Sequence, residues 1–182
     1  TTTSSLLAWI LEHAGLEPGF LIGGVPLDFD VSARRGAGRH FVIEADEYDY
    51  MFLGLRPRIA AILNIEHDHP DMFPTFADVL SAFAEFADRL PPDGLLIACA
   101  DDAGASALAE ARHAAGHPAI TYALDAAADW SATDLEPLSS GGTRFVARRG
   151  PVPVGVLTLA AAGRHNVLNA LAVLAIAAHL GV

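Results

Sequence analysis

Two clusters of carboxylate and imidazole side chains follow two predicted strands of this chain. The strand at residues 41–43 leads directly into an acidic segment, residues 44–49, that contains four carboxylates. The strand at residues 59–63 leads into residues 64–71, which contain two histidines and three carboxylates. Ligands of open α/β sheets bind at the carboxyl ends of parallel strands. Oxygen and imidazole ligands at that edge can hold a divalent cation and, through it, a phosphorylated ligand. The pattern therefore predicts a metal-dependent catalytic domain.

The acidic segment 44–49 has two interpretations. Alternation along the strand places Glu44 and Asp46 on one side, with Glu47 and Asp49 nearer the loop. Carboxylates this close repel one another unless a cation or backbone donors offset their charge. A solvated acidic loop is the alternative, because charge runs are common on protein surfaces. A buried strand that runs directly into the cluster favours the metal site.

The histidine segment also has two interpretations. His67, His69 and Asp71 show the H-x-H-x-D spacing of binuclear metallohydrolases, in which alternate histidines face one metal. Such sites need further histidines downstream, and Met72 occupies the position where those hydrolases usually place the next one. The alternative is a capped loop before a helix that starts at Thr75. In that helix, Thr75 and Asp78 have the spacing of a capping box, and one apolar stripe is predicted from Phe76, Val79, Leu80, Phe83, Phe86 and Leu90.

Two further groups of polar residues lie at predicted helix starts. Residues 1–5, Thr-Thr-Thr-Ser-Ser, open an amphipathic helix, where a hydroxyl can coordinate Mg²⁺ while free amides bind phosphate. An ordinary N-cap is the alternative. Asn166 and Asn169 share one face of the last helix, and their carboxamides suit the edge of an adenine ring. Capping by Asn166 is the alternative there. Residues 22–26 lack phosphate-loop spacing and predict a tight turn.

The elements that must position these groups alternate strand and helix along most of the chain. Predicted strands cover residues 20–22, 41–43, 59–63, 95–99 and 120–122, and predicted helices cover 6–11, 75–90, 101–115 and 167–180. This order favours an α/β fold with a mostly parallel sheet flanked by helices. Short strands at residues 130–138, 143–149 and 152–159 indicate a small antiparallel meander near the C-terminal end.

Composition limits the classes of function. The 182 residues are 52% hydrophobic and 18% charged, which predicts one globular domain over residues 1–182. A net charge of −11 argues against nucleic-acid and anionic-membrane partners. No apolar stretch approaches the roughly 20 residues of a membrane span. Cys99 is the only cysteine, so a reducing, cytoplasmic location is expected.

All 11 basic residues are arginines, and the chain contains no lysine. No lysine of this chain can therefore clamp a phosphate or carry a carbamate. Because the chain begins at a helix start, we also expect that an upstream strand and loop belong before Thr1.

Taken in order, these motifs resemble the Mur ligase family, the ATP-dependent amide ligases of peptidoglycan precursor synthesis. The motifs are residues 1–3, 44–49, 64–71 and 163–170, and the resemblance spans the whole chain. It implies the central, ATP-binding domain of a three-domain enzyme, with a P-loop NTPase-like fold that is truncated after the phosphate-loop lysine. The isolated chain is therefore expected to bind ATP poorly and to be inactive as a ligase.

The resemblance also implies roles for individual residues. Thr1 matches the Mg²⁺-binding hydroxyl, with Thr2 beside it, and Glu44 matches the carboxylate that holds the metal. His69 matches the histidine of a second metal site, with Asp68 and Asp71 around it. Glu44 and His69 are thus the expected catalytic residues. The expected ATP-binding residues are Thr1, Thr2, Asn64, His165, Asn166 and Asn169. Some family members bridge the metals with a carbamylated lysine, which this chain cannot do.

The implied reaction begins when ATP phosphorylates a substrate carboxylate. An amine then attacks the acyl phosphate and gives an amide, ADP and phosphate. The implied partners are UDP-N-acetylmuramate and an amino acid or peptide. Residues 18–26 are similar to the branch that recycles a murein tripeptide, whereas residues 49–59 and 164–166 are similar to the branch that adds L-alanine. We expect the L-alanine branch, with tripeptide recycling as the alternative. A binuclear metallohydrolase and an acidic scaffolding module are the alternatives from other classes.

Overall fold

The computed structural model describes all 182 residues, which form two compact units. Unit 1 comprises Thr1–Ala45 and Val173–Val182, and unit 2 comprises Asp46–Ala172. Each unit contains one β-sheet. The expectation of one domain over residues 1–182 stays a prediction. None of the four α-helices combines the length and the apolar composition that crossing a bilayer requires.

Unit 1 is a helix packed on a small sheet. Its elements are α1 (Thr2–His13), β1 (Gly19–Leu21), β2 (Ala33–Arg34) and β3 (Phe41–Ile43). The strand order is β2-β1-β3, with β1 and β3 parallel and β2 antiparallel to β1. The core consists of the buried apolar residues Ala8, Leu11, Phe20, Ile22 and Val42. Since strand side chains alternate, Phe20 and Val42 point inward while Leu21, Phe41 and Ile43 are exposed.

The strand β2 was not predicted, because its two residues are too few to show a period. Arg34 at its end contacts both α1 and the sheet. Its Nη2 donates to Glu12 Oε2 at 2.6 Å and to the Pro18 carbonyl at 3.2 Å. Its guanidinium lies 5.2 Å from the centre of the Phe20 ring. These contacts connect the C-terminal end of α1 to the start of β1.

Unit 2 is a mostly parallel sheet with helices in its crossovers. Its strands are β4 (Ile59–Ile62), β5 (Leu95–Cys99), β6 (Ala119–Ala123), β7 (Trp130–Pro137), β8 (Thr143–Arg149) and β9 (Val152–Leu159). The crossover helices are α2 (Phe76–Asp88) and α3 (Ala103–Ala114). The order is β4-β5-β6-β7-β8-β9, parallel from β4 to β7 and antiparallel from β7 to β9. The predicted fold class and the predicted meander are confirmed.

The start of α2 follows the predicted capping box. The Thr75 hydroxyl accepts from the Asp78 amide at 3.3 Å, and the Asp78 carboxylate accepts from the Thr75 amide at 2.8 Å. Val79, Phe86 and Leu90 are buried, as the apolar stripe predicts. The helix ends at Asp88, before the stripe does, and Phe76 at its start is exposed.

The last helix, α4 (Arg164–Leu180), begins three residues before the predicted start at 167. Gly163 precedes it with φ +101°, a conformation that side chains of L residues rarely adopt. A Cβ at Gly163 would also meet the His165 ring at 2.8 Å. Gly163 thus leaves room for the His165 ring to fold back over the backbone that enters α4. Because α4 begins at Arg164, Asn166 lies inside its first turn.

Candidate functional site

In unit 1, the predicted residues Thr1 and Glu44 are in direct contact. The Thr1 hydroxyl donates to Glu44 Oε1 at 2.7 Å, and the Thr1 amino group lies 2.8 Å from the same oxygen. Thr1 caps α1 without a hydrogen bond from its side chain to the helix, so its hydroxyl is directed to the carboxylate. Glu44 directly follows β3, and its amide continues the strand pairing to the Leu21 carbonyl at 2.9 Å.

A third group at this cluster was missed by sequence reasoning. The Gly23 amide donates to Glu44 Oε2 at 2.8 Å, so both carboxylate oxygens have partners. A Cβ at Gly23 would lie 3.3 Å from Glu44 Oε1, and one at Gly24 would lie 3.2 Å from Thr1 Cγ2. The glycine pair is therefore more than a turn, because it lets the backbone approach both residues. A glycine pair directly after a strand was the available signal.

The cluster favours an ionised carboxylate. Burial by itself raises the pKa of Glu44, but it is outweighed by a Thr1 amino group that is charged only where Thr1 is the first residue, and by hydrogen bonds from the Gly23 amide and the Thr1 hydroxyl. The net effect holds the pKa of Glu44 below its usual value. The start of α1 adds free amides and the positive end of the helix dipole. The Glu44 carboxylate is therefore charged at neutral pH and half-buried.

The donor set of this cluster fits Mg²⁺. A hydroxyl and a carboxylate are hard oxygen ligands, and Mg²⁺ is typically held by one or two protein groups with water and phosphate oxygens filling the rest. Because Gly23 has no Cβ, no side chain lies against Glu44 Oε1 on the side of residue 23. Thr1 and Glu44 would hold the ion, and Thr2 opens α1 beside them.

In unit 2, the acidic segment and the histidine segment meet around His69. His69 Nε2 lies 3.7 Å from Glu47 Oε1 and 3.9 Å from Asp68 Oδ2. The Tyr48 ring packs edge-on against the His69 ring, with 5.0 Å between their centres. The Tyr48 hydroxyl donates to Asp71 Oδ2 at 3.2 Å. The two predicted segments are thus in contact, in part through Tyr48, a side chain that the sequence did not single out.

The electrostatics of this contact are acidic. The negative charge of Asp71, its hydrogen bond with the hydroxyl and the nearby Asp49 all raise the pKa of Tyr48. The phenol therefore remains protonated and acts as a donor to Asp71 at neutral pH. The acidic segment continues as a 3₁₀ segment, Tyr48–Gly54, which the sequence analysis did not predict.

The structure does not bring His67 and His69 to one metal position. His67 Nε2 lies 2.9 Å from the Phe73 carbonyl, so this ring holds the end of its own loop. No group of three or more His, Cys, Asp or Glu side chains is arranged to hold a metal ion. This geometry argues against the alternative of a binuclear metallohydrolase built on His67, His69 and Asp71, and it supports the capped-loop interpretation for His67.

Apart from Thr1 and Thr2 in unit 1, the residues expected to contact ATP fall at two places in unit 2. Asn64 follows β4 and donates from Nδ2 to Glu66 Oε1 at 3.0 Å. Asn166 and Asn169 lie on one face of α4, with Asn169 Nδ2 3.5 Å from Asn166 Oδ1. Asn166 Nδ2 also donates to the Ala162 carbonyl at 2.7 Å. The shared face is as predicted, and Asn166 sits within the helix rather than at its cap.

A hydrogen-bonded chain leads from β5 to the start of α4. The Asp101 carboxylate accepts from the amides of Leu124, Asp125 and Ala126 at 2.7, 3.1 and 2.7 Å. Although burial raises the pKa of Asp101, these three hydrogen bonds and the nearby Arg164 lower it overall. Asp125 Oδ1 then accepts from Arg164 Nη2 at 2.7 Å. Sequence reasoning assigned Asp101 only to a helix start, although its place after a strand was a usable signal.

Comparison with known proteins gives consistent matches over the whole chain. Residues 1–177 match the sequence profile of the Mur ligase middle domain. A UDP-N-acetylmuramate–L-alanine ligase of Frankia alni is 43% identical over 187 residues, which cover 100% of this chain and 32% of that protein. One of Renibacterium salmoninarum is 45% identical over 183 residues, which cover 100% and 38%.

A solved structure is also similar. The UDP-N-acetylmuramate:L-alanyl-γ-D-glutamyl-meso-diaminopimelate ligase of Neisseria meningitides superposes with a TM-score of 0.85 at 36% identity. The match covers 100% of this chain and 59% of that one. The chain spans about a third of the length of the two curated relatives it matches.

Proposed function

The chain belongs to the Mur ligase family, and from that premise we propose that it is the ATP-binding middle domain of an ATP-dependent carboxylate–amine ligase in peptidoglycan precursor synthesis. In the proposed reaction, ATP phosphorylates the carboxylate of UDP-N-acetylmuramate. An amine then attacks the acyl phosphate, and an amide, ADP and phosphate are released. The proposed location is the cytoplasm, where these soluble precursors would be available.

The observation that carries the proposal is the cluster of Thr1, Gly23 and Glu44 at the start of α1. A helix start with free amides binds phosphate oxygens, and a hydroxyl paired with an ionised carboxylate suits Mg²⁺. When bound, Mg²⁺ neutralises charge on the phosphates during phosphoryl transfer. Glu44 is proposed to hold that ion through a carboxylate that the Gly23 amide orients from the opposite side.

The remaining sites are proposed from the same family pattern. His69 is proposed as a second metal ligand and catalytic residue, with Glu47 and Asp68 as neighbouring carboxylates. Asn64, His165, Asn166 and Asn169 are proposed to contact the nucleotide. The paired carboxamides of α4 offer donors and acceptors on one face, which is what recognition of an adenine edge requires.

For the amine substrate we propose L-alanine. The support is that two relatives 43% and 45% identical over the whole chain are named UDP-N-acetylmuramate–L-alanine ligase. The second candidate is the peptide L-alanyl-γ-D-glutamyl-meso-diaminopimelate, since the ligase named for it superposes well at 36% identity. The two candidates differ in the amine, so one assay separates them.

The test is ADP release by the full-length protein that contains this chain, supplied with UDP-N-acetylmuramate, ATP, Mg²⁺ and one amine at a time. Release that depends on L-alanine is the expected result. Release that depends only on the tripeptide would transfer the assignment to the recycling reaction. If neither amine stimulates ADP release, the ligase proposal is wrong.

The role of Glu44 is tested in the same assay with Glu44→Gln. Glutamine keeps the side-chain length and can still accept from the Gly23 amide, but it removes the charge that would hold the ion. We expect kcat/KM to fall about a hundredfold or more, the usual size for losing a group that stabilises charge in the transition state. Glu85→Gln is the control, because Glu85 is an exposed residue of α2 paired only with Arg89. Equal activity of the two variants would contradict the role given to Glu44.

A further inference from the structure

Tyr48 makes two contacts that together span the turn after His69. Its ring packs edge-on against His69 at 5.0 Å between centres, with an angle of 71° between the ring planes. Its hydroxyl donates to Asp71 Oδ2 at 3.2 Å, two residues further along. The backbone of Tyr48 is itself held, because its amide donates to Asp46 Oδ1 at 3.0 Å. One side chain thus connects the acidic segment to both sides of the His69 turn.

His69 needs such support because its backbone is strained. Its φ is +54°, in the left-handed region that residues other than glycine rarely adopt. Such a conformation persists only when the surroundings hold it, and it is found most often at functional sites. The backbone is held on one side by Asp68 Oδ1, which accepts from the His69 amide at 2.8 Å. On the other side, the His69 carbonyl accepts from the amides of Met72 and Phe73 at 2.9 Å each.

None of these backbone contacts fixes the imidazole. The carboxylates of Glu47 and Asp68 lie 3.7 and 3.9 Å from His69 Nε2, beyond the range of a strong hydrogen bond. The Tyr48 ring is the aromatic surface against the imidazole, and the hydroxyl anchors that ring to Asp71. The orientation of the His69 ring therefore depends on a hydroxyl that does not touch it.

We infer that Tyr48 is a positioning residue for His69, acting through its hydrogen bond to Asp71 and its ring contact. One part of the inference rests on the proposed function: that His69 thereby presents its Nε2 in the orientation needed to bind a metal ion. The geometric part, that the Tyr48 hydroxyl stabilises the turn 69–73, does not depend on any reaction.

The chain offers a matched control in Tyr50. The Tyr50 ring also packs edge-on against the histidine segment, at 5.1 Å from the Phe73 ring and at an angle of 68°. Tyr50 belongs to the same 3₁₀ segment, and the hydrogen bonds of the structure include one for the Tyr48 hydroxyl but none for that of Tyr50. Tyr48→Phe and Tyr50→Phe therefore make the same chemical change in the same segment, and only the first removes a hydrogen bond.

The first measurement is amide hydrogen exchange of Met72 and Phe73 in the full-length protein without metal or nucleotide. Both amides donate to the His69 carbonyl, so their exchange reports opening of this turn. Tyr48→Phe is expected to accelerate exchange about tenfold, since a hydrogen bond to a charged group is lost. Tyr50→Phe is expected to leave it within about twofold, and equal rates in the two variants would overturn the inference.

The second measurement is ADP release by His69→Ala, Tyr48→Phe and the double variant. We expect Tyr48→Phe to lower kcat about tenfold and to raise the Mg²⁺ concentration needed for half-maximal rate, with KM for L-alanine unchanged. The double variant should be no slower than His69→Ala, because a residue that acts through His69 has no further effect once His69 is gone.

The outcomes separate the inference from the proposed function. If His69→Ala is fully active, the role proposed for His69 is wrong, whatever Tyr48 does. If His69→Ala is slow and Tyr48→Phe is as fast as the wild type, only the positioning role is overturned. If the losses of the two single variants multiply in the double variant, Tyr48 acts independently of His69 and the inference fails. Asp71→Asn keeps an acceptor oxygen for the Tyr48 hydroxyl and is expected to lie between the wild type and Tyr48→Phe.

Discussion

Replacing Arg112 by methionine should destabilise unit 2 more than replacing an exposed arginine would. Arg112 lies on α3, and only 8% of it is exposed. Its Nε donates to the Pro118 carbonyl at 3.0 Å, and its Nη2 donates to the carbonyls of Pro91 and Gly94 at 2.8 Å each. One guanidinium thus joins α3 to the turn before β5 and to the residue before β6.

The magnitude follows from these three bonds. A hydrogen bond to a charged group contributes about 1.5 kcal/mol at the low end, so three contribute about 4.5 kcal/mol. The guanidinium is buried and partly desolvated, which lowers the pKa of Arg112, so its removal returns part of the desolvation cost. Two of the carbonyls keep backbone partners, because Pro91 also accepts from Gly94 and Pro118 from Leu96. Methionine retains the apolar stem. We expect a net loss of about 3 kcal/mol.

Native-state hydrogen exchange of the β5 amides in the full-length protein measures this loss locally. A change of about 3 kcal/mol corresponds to exchange about a hundredfold faster at 25 °C when opening is at equilibrium. Arg89→Met is the control, since Arg89 makes an exposed i,i+4 pair with Glu85 that is worth about 0.3–0.5 kcal/mol. Acceleration below about threefold in a folded Arg112→Met protein would refute the argument that buried carbonyls depend on this side chain.

Three further variants test other parts of the structure. Gly23→Ala should raise the Mg²⁺ concentration for half-maximal ADP release several-fold, because its Cβ would lie 3.3 Å from the Glu44 carboxylate. Gly155→Ala is the control, because a Cβ there would meet nothing within 4 Å, and it should leave this Mg²⁺ concentration unchanged. Equal effects of the two variants would contradict the role given to the close approach of Gly23 to Glu44. Asp101→Asn should make stability, measured by thermal unfolding as a function of pH, depend less on pH in the acid range. Because its folded pKa is lowered, the stability that Asp101 adds is complete above its ordinary pKa of about 3.9 and is lost as pH falls through the folded value. An unchanged profile would count against the three-amide contact. Thr75→Ala should cost about 1 kcal/mol at the start of α2, measured by exchange of the first-turn amides, and no change would refute the capping box.

Much of the fold could be predicted from local pattern. The strands β3, β5, β8 and β9 have the predicted bounds, and α2 begins at the predicted capping box. These succeed because apolar runs, turn residues and caps act over a few neighbouring residues. The two-residue strand β2 and the 3₁₀ segment Tyr48–Gly54 could not be predicted, since both are too short or too irregular to show a period. Asp49 and Tyr50 within that segment have positive φ, which no local signal announces for a tyrosine.

In the candidate site, too, some features follow from local sequence and others from tertiary packing. By itself, the sequence determined which residue types end each strand and begin each helix, and therefore that carboxylates, hydroxyls and imidazoles would collect at particular loop ends. Only the tertiary structure decided which partners they meet: Gly23 behind Glu44, Tyr48 against His69, Asp71 at the tyrosine hydroxyl, and a backbone carbonyl for His67. The physical reason is that residue type and spacing set the local conformation, whereas contacts between residues about twenty positions apart, or within an irregular loop such as that of His67, depend on how strands and loops are packed in three dimensions.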